Sequence, residues 1–557
     1  FKLYMQTKLS NPHYPPEIQA ESSLINFTVT EEGLGDQLLT LVVSKERPDL
    51  SQKKVELIQQ QNEFKIKLKE LEKGLLERLK NLEGEFLEDI DLINNLENSQ
   101  KFSLEIREKV QIAKVTEVKI NEASEFYRPT ANRGALIFFV MNELYKISSF
   151  YMYSLESFLD VIIRALKIVE NEYIEKFRKE NEALQATEKQ EEFNEESSEP
   201  KEASEEAATE QPTKVSEVIK EPVRELTPKE LKERIERIID TLTFCSFNYV
   251  RRGLFERHKI IFSTFLCLRI LERSKKLKSE EVSQFIQSRP YLNQINMPET
   301  VKGYLNETIW KECKSFEFIP DLSELCENLD QEHLHWRKWF LEEKVEDIDM
   351  PKKYKDISEF HRLMIIKAMR PDRVSSALKI FVSNALGSQF IENPRFNIHD
   401  VFPESAASTP MFFVLFPGVD PTKDVEEIGV INNKSIAAGT LINISMGQGQ
   451  EERALNLLQE CTQKGNWIFL QNVHLMESWL KSFERKLEEV IVNSHPDFRC
   501  FISSEAPPLP EMKIIPEAIL QRCIKIANEA PSDLKANMLR AMGHFSQKNV
   551  DHSSKPS

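Results

Sequence analysis

Apolar residues recur along this chain with two different periods, and the change of period divides it. Residues 1–9 and 24–30 alternate apolar and polar positions around a loop containing Pro12, Pro15 and Pro16, which predicts two short strands. From Asp49 the spacing becomes heptad-like. Leu57, Phe64, Leu68, Leu71, Leu75, Leu79, Leu82 and Phe86 follow steps of three and four where the register is clean, with Lys, Glu and Gln between them. Gly84 and the acidic residues 85–91 interrupt the run. A second seam then passes through Ile93, Leu96, Phe102, Ile106, Val110 and, after a half-turn drift, Val118 to about Tyr127. Two helices around one breaker predict an antiparallel coiled-coil hairpin over 49–127, each arm of about 35 residues and about 50 Å. Its tip, near Gly84, exposes Phe86 and Leu87 among acids.

Residues 135–169 are strongly apolar and helical in period. Asn142, Glu143, Lys146, Glu156 and Asp160 recur through them, so buried bundle helices are expected there and not a membrane segment. Residues 188–210 hold ten Glu against two Lys, a balance of −8 and half the net charge of the chain. That tract cannot bury enough apolar surface to order itself, and a disordered acidic insertion is expected over 175–228. Amphipathic helices resume over 231–275, and Arg289-Pro290 to Pro298 marks a passage to another domain. From about Lys353 the signals alternate. Helices are predicted at 358–369, 373–386, 451–463 and 478–492, and strands at 411–416, 441–445, 467–470 and 499–502. Alternation of this kind implies a mostly parallel sheet covered on both faces.

Composition narrows the partners. A net charge of −16 argues against nucleic acid or an anionic lipid surface, both of which need clustered Lys and Arg. No run of 18 apolar residues occurs, so no membrane-spanning helix is predicted. The 557 residues allow three or four domains. Seven cysteines without C-x-x-C spacing point to buried thiols in a reducing compartment, not to disulfides or zinc. The sequence opens on Phe1 within a predicted strand, as a piece of a longer chain would.

The chemical candidates share one trait: each stands where a nucleotide site would, without its reactive residues. The strand Trp467-Ile-Phe-Leu-Gln-Asn472 ends on neutral Gln471 and Asn472, where an ATPase needs acids to hold Mg²⁺ and polarise water. The strand at 411–416 opens into Pro417-Gly-Val-Asp-Pro-Thr-Lys423, which lacks the second glycine and the Lys-Ser/Thr pair, and whose Asp420 would repel phosphate. Gly447-Gln-Gly-Gln450 is a strand-to-helix turn without a cation and is expected to be structural. Ser503-Ser-Glu505 ends a strand at the place of a γ-phosphate sensor with nothing to sense, and Asn11 occupies the comparable place earlier in the chain. His333 and His335 are two residues apart and do not share a helix face, so a zinc site there is not expected. His474 fits a packed or capping residue. The basic run at 269–278 is mixed with Glu and fits a solvated face. No catalytic, cofactor-binding or metal-ligating residue is assigned.

These segments, taken in order, resemble a dynein heavy chain. Thr7-Lys-Leu-Ser-Asn-Pro-His-Tyr14, Gly33-Leu-Gly-Asp-Gln-Leu-Leu39, Tyr127-Arg-Pro129, Arg252-Gly-Leu-Phe-Glu256, Arg370-Pro-Asp-Arg373, Pro417-Gly-Val-Asp-Pro421, Gly447-Gln-Gly-Gln450 and Leu470-Gln-Asn472 are similar to that family's landmarks over about 1–547. The wording is closer to axonemal than to cytoplasmic members. The resemblance implies partial AAA+ modules, α/β plus all-α. Residues 1–30 would end the fifth module's large subdomain, and 31–288 would be its helical small subdomain with the hairpin as buttress. Residues 289–547 would be the sixth module's large subdomain with a degenerate nucleotide site, and 548–557 a polar tail.

By the same resemblance the parent is an ATP-driven, minus-end-directed microtubule motor of cilia and flagella, located in the cytoskeleton. Its ATP and Mg belong to upstream modules. Its partners would be the stalk coiled coil, neighbouring modules, intermediate and light chains, and microtubules. The sequence departs from the family at Gly35, where an acid is usual, and in the length of the acidic insertion. A non-motor scaffold with a decayed AAA+ fold is the alternative expectation, and an active ATPase a third.

Overall fold

The computed structural model describes the chain apart from residues 1–2, 6–13, 26–28, 81–89, 196–226, 289–290, 292–295, 393–396, 417–419, 508, 510–511, 528, 530–533 and 544–557. Packing groups it into two compact units, Phe1–Ala135 with Ile162–Thr243, and Leu136–Val161 with Phe244–Ser557. No helix among the described residues is long and apolar enough to cross a membrane.

In the first unit, helix α1 (Glu31–Glu46) starts where the Thr30 hydroxyl accepts from the Gly33 N–H, with Glu31 and Glu32 favourably placed in its first turn. It buries Leu34, Leu38, Leu39, Val42 and Val43. One residue, Arg47, separates it from α2 (Pro48–Lys80), and Pro48 sits at the first helical position, where a missing N–H costs nothing. Helix α3 (Ile90–Glu125) runs back along α2: the Lys54 amine donates to Asn121 Oδ1 at 2.9 Å, and the Gln61 amide to Glu117 Oε2 at 3.1 Å. The pairing is antiparallel, as the periodicity predicts.

The seam differs from expectation in one respect. Its α3 side runs through buried Ile106, half-buried Val110, buried Ala113, half-buried Glu117, buried Ile120 and buried Ser124, an unbroken heptad. There is no half-turn drift. Val118 faces outward with Leu104, Ile112 and Val115, each more than half exposed. A search for large apolar residues overlooks Ala113 and Glu117, yet Glu117 keeps its place because Gln61 supplies its partner. On α2 the matching half-buried positions are Leu50, Lys54, Leu57, Gln61 and Phe64. The side chains of Leu71 and Leu75 and the tip at 81–89 lie outside the described residues.

The hairpin's root is fastened by arginines. Arg47 forks onto Asp49 at 3.0 and 2.9 Å. Arg128, which opens α4 (Arg128–Glu143), reaches Glu125 at 2.9 and 2.5 Å and Asp36 of α1 at 2.5 Å. Arg234 of α6 (Pro228–Arg251) forks onto Glu46, the last residue of α1, at 2.6 and 3.1 Å, and lies over the Tyr173 ring of α5 (Leu155–Glu195). The fork from Arg47 holds the Asp49 carboxyl below the usual range.

One expectation falls largely outside the described residues and another needs correction. Of the strands expected at 1–9 and 24–30, residues 1–2, 6–9 and 26–28 lie outside the described residues; the described Leu3, Tyr4, Met5, Leu24 and Ile25 are exposed and not in a strand, and 16–21 is a short helix. The expected insertion at 175–228 is helical to Glu195, within α5, because its Glu, Ala, Gln and Lys are good helix formers. Residues 196–226 lie outside the described residues, and Pro228 already opens α6.

The second unit contains a five-stranded sheet in the order β2-β3-β4-β1-β5, all parallel. The strands are β1 (Met411–Leu415), β2 (Leu441–Ser445), β3 (Trp467–Gln471), β4 (Arg499–Glu505) and β5 (Ile524–Ala527). β5 escapes prediction because it is four residues long and interrupted by Lys525. One face packs Phe413, Trp467, Phe469, Phe501 and Ile526 against Ile398, Val401, Val425 and Ile428, while Phe150 meets Phe412 on the other. Burial on both faces explains the near-continuous apolar runs of β1, β3 and β4.

The landmark tetrapeptides have structural roles. The Arg252 carbonyl accepts from the Ala527 N–H at 2.8 Å beside edge strand β5, and its guanidinium pairs with Glu404 over the Tyr249 ring. Gly253 is obligatory in that approach, since a Cβ there would lie 2.8 Å from the Lys525 Cβ. Lys525 is 3% exposed, its amine donating to the Met152 carbonyl and lying 4.1 Å from the Tyr153 ring centre. Helix α7 (Glu256–Arg273) follows the Arg252 landmark. Between α8 (Glu359–Met369) and α9 (Val374–Leu386), Arg370 forks onto Asp372 and donates to the Phe340 and Glu342 carbonyls, while Arg373 pairs with buried Glu346.

Candidate functional site

Because the sheet is parallel, all five strands present their carboxyl ends on one edge. The connection from β1 runs to β2 at one edge, whereas that from β4 passes β1 to reach β5 at the other, so the ends of β1 and β4 adjoin the crevice where such sheets hold ligands. β4 lies between β1 and β3, so the ends of these three strands are neighbours. They carry the segments singled out in the sequence: Asp420 to Lys423 after β1, Gln471 and Asn472 at the end of β3, and Ser503 to Glu505 at the end of β4.

Helix α10 (Thr422–Ile431) starts just beyond β1, and its first N–H groups and dipole would favour an anion. The anion present is the chain's own. Asp420 Oδ1 accepts from the Thr422 N–H at 3.0 Å and from the Thr422 hydroxyl at 2.5 Å. An aspartate bonding to the backbone two residues on is an Asx-turn, a signal legible in Asp420-Pro421-Thr422 that a reading of charge repulsion alone passes over. Across the edge, the Gln471 amide donates to the same Thr422 hydroxyl at 2.8 Å. Lys423 projects exposed, and residues 417–419, including Gly418, lie outside the described residues.

The strand ends are also tied to one another. Asn472 adopts a left-handed conformation (φ 55°, ψ 41°), which asparagine tolerates better than most residues, and its N–H donates to the Ser503 hydroxyl at 3.3 Å. Ser503, at the sensor position, is thus a buried tie between β3 and β4. His474 Nδ1 accepts from the Glu505 N–H at 3.2 Å, so of the packed and capping roles expected it takes the packed one, against the end of β4. Gly447 to Gln450 closes a turn through the Gln450 N–H to the Gly447 carbonyl at 3.2 Å, with Gly449 at φ 84°. Helix α11 (Glu451–Lys464) follows it, and α12 (Glu477–Ile491) follows β3.

The remaining candidates are scattered. His333 faces the Asp330 carbonyl and His335 the Glu332 carboxylate, while the Trp336 indole donates to Asn328. Asn11 lies outside the described residues. Among the described residues no group of three His, Cys, Asp or Glu is placed to hold a metal ion. Cys267, Cys313, Cys326, Cys461, Cys500 and Cys523 are buried thiols, burial pushing Cys267, Cys326 and Cys523 up to about 12.

Two family models match the chain: the ATP-binding dynein motor region at residues 1–106, and the dynein heavy chain region D6 P-loop domain at 406–527, which spans all five strands. Similar curated proteins include the dynein alpha chain of the flagellar outer arm from Chlamydomonas reinhardtii, 40% identical over 100% of this chain and 13% of the relative. Dynein axonemal heavy chain 9 from Homo sapiens is 38% identical over 99% of this chain and 11% of its own length. The ciliary dynein beta chain from Tripneustes gratilla is 37% identical with the same coverage. The chain thus spans about an eighth or less of the length of these relatives.

Proposed function

The chain belongs to the dynein heavy-chain family, among relatives of the axonemal type, and from that premise we propose that it is a non-catalytic, force-relaying stretch of a longer motor. The longer heavy chain would move along microtubules of an axoneme, using ATP and Mg bound in modules outside this sequence. Its microtubule, intermediate-chain and light-chain contacts would likewise lie in the whole assembly. Within this stretch the module at 289–547 serves as scaffold. The hairpin at 49–127 is the relay, directed at the base of the stalk coiled coil.

The observation that carries this reading is the fastening of the hairpin's root. A rod transmits a rotation only if its base cannot swivel independently of the body. Here α1 joins α2 through a single residue, Arg128 ties α1, α3 and α4 together, and Arg234 ties α1 to α6. The heptad seam resists bending along the rod. Ile106→Ala with Ile120→Ala should loosen it, since each removes a buried side chain worth about 2–5 kcal/mol. In the full-length heavy chain that carries this stretch, the double variant should keep basal ATP turnover and lose most of its stimulation by microtubules. Unaltered stimulation and gliding would refute the relay and leave the hairpin as support.

A further inference from the structure

Two departures from a phosphate-binding pattern, Asp420 and Gln471, are chemically complementary. In a nucleotide-binding domain the N–H groups at the helix start receive phosphate, the Thr or Ser hydroxyl meets the metal, and the acid at the neighbouring strand end faces that metal. At the start of α10 here, one residue ahead of Lys423 and so not at the hydroxyl position that would follow it, the Thr422 N–H and hydroxyl both donate to Asp420, at 3.0 and 2.5 Å, and the hydroxyl receives the Gln471 amide at 2.8 Å. The directions are forced. A hydroxyl that has given its proton to Asp420 can only accept from residue 471, and a carboxylate cannot donate. Asp420 therefore calls for a donor at 471, which the Gln471 amide supplies and a carboxylate could not, and an acid there would also repel it.

We propose that Asp420, Thr422 and Gln471 form an internal latch that joins the start of α10 to the end of β3, holding the strand edge in one state without a ligand. The latch rests on the reading that this crevice binds no nucleotide. It implies that the two substitutions act as a pair, and that reversing both can preserve the link. In Asp420→Asn/Gln471→Glu, the new amide carbonyl at position 420 still accepts from the Thr422 N–H, while the Thr422 hydroxyl turns to donate to the new carboxylate at position 471.

Hydrogen exchange of the full 557-residue chain tests this. Gln471→Glu alone should speed exchange of the amides at 422–425 and 471–474 by roughly 3- to 10-fold, the worth of one or two hydrogen bonds. The double variant should return close to the parent rate. No change in the single variant, or a double variant as fast as the single, would overturn the latch alone. Protection of the parent amides by millimolar Mg-ATP would overturn the absence of nucleotide, and the latch with it.

Discussion

Replacing Arg234 by Met should release the root of the hairpin from the helix that carries it. Glu46 is the last residue of α1, so its carboxylate faces the negative end of that helix's dipole, and its side chain is 4% exposed. Arg234, 14% exposed, compensates it through two bonds. Breaking a buried pair from one side strands the other charge and costs about 3–5 kcal/mol. Arg234 keeps some water, so the lower figure, about 3 kcal/mol, applies, equivalent to roughly 100-fold in a local opening equilibrium. The natural assay is hydrogen exchange across residues 38–48 and 228–240, which should accelerate together by that factor while the β3 and β4 amides stay unchanged. Arg234→Met/Glu46→Leu removes both charges and should regain most of the loss, because well-packed apolar side chains replace such pairs at little cost. An Arg234→Met variant with unchanged exchange, or a double variant worse than the single, would refute the assignment of the root to this pair.

The remaining predictions concern edge strand β5. Gly253→Ala should destabilise the second unit by about 1–3 kcal/mol, since its Cβ would meet the Lys525 Cβ at 2.8 Å and the Tyr153 hydroxyl at 3.2 Å; thermal unfolding followed by circular dichroism measures the loss. Burial pushes Lys525 down to about 7, whereas an unfolded lysine titrates near 10.4, so between these values the unfolded chain binds the extra proton and stability rises with pH. Lys525→Met should therefore raise the melting temperature most at pH 7 or below, with the gap to the parent narrowing toward pH 10. A gap independent of pH would contradict the buried-amine account.

Much of this architecture is legible in periodicity, and the exceptions have physical causes. The strands β1 to β4 and helices α8, α9, α11 and α12 appear within a few residues of their expected limits, because continuous apolar runs and 3.6-residue spacing are local signals. The hairpin is legible for the same reason, but the course of its second seam is not. Ala113 is too small to register as a seam residue, and Glu117 is acceptable there only because Gln61 stands opposite. At the crevice, the missing glycine and acids are visible in the sequence. The bond from Gln471 to Thr422 is not, since it joins residues that come together only because β4 lies between β1 and β3 in the sheet.

Helix α3 turns one apolar stripe toward α2 and another away from it. Leu104, Ile112, Val115 and Val118 occupy four turns of its outer face, about 21 Å of helix. An isolated copy of this chain in solution therefore displays an adhesive strip, and what keeps copies apart is their common charge of −16. Added salt screens that repulsion while strengthening apolar association. The expected colloidal behaviour is dispersion in dilute buffer and self-association in added sulfate, which light scattering across a sulfate series would measure.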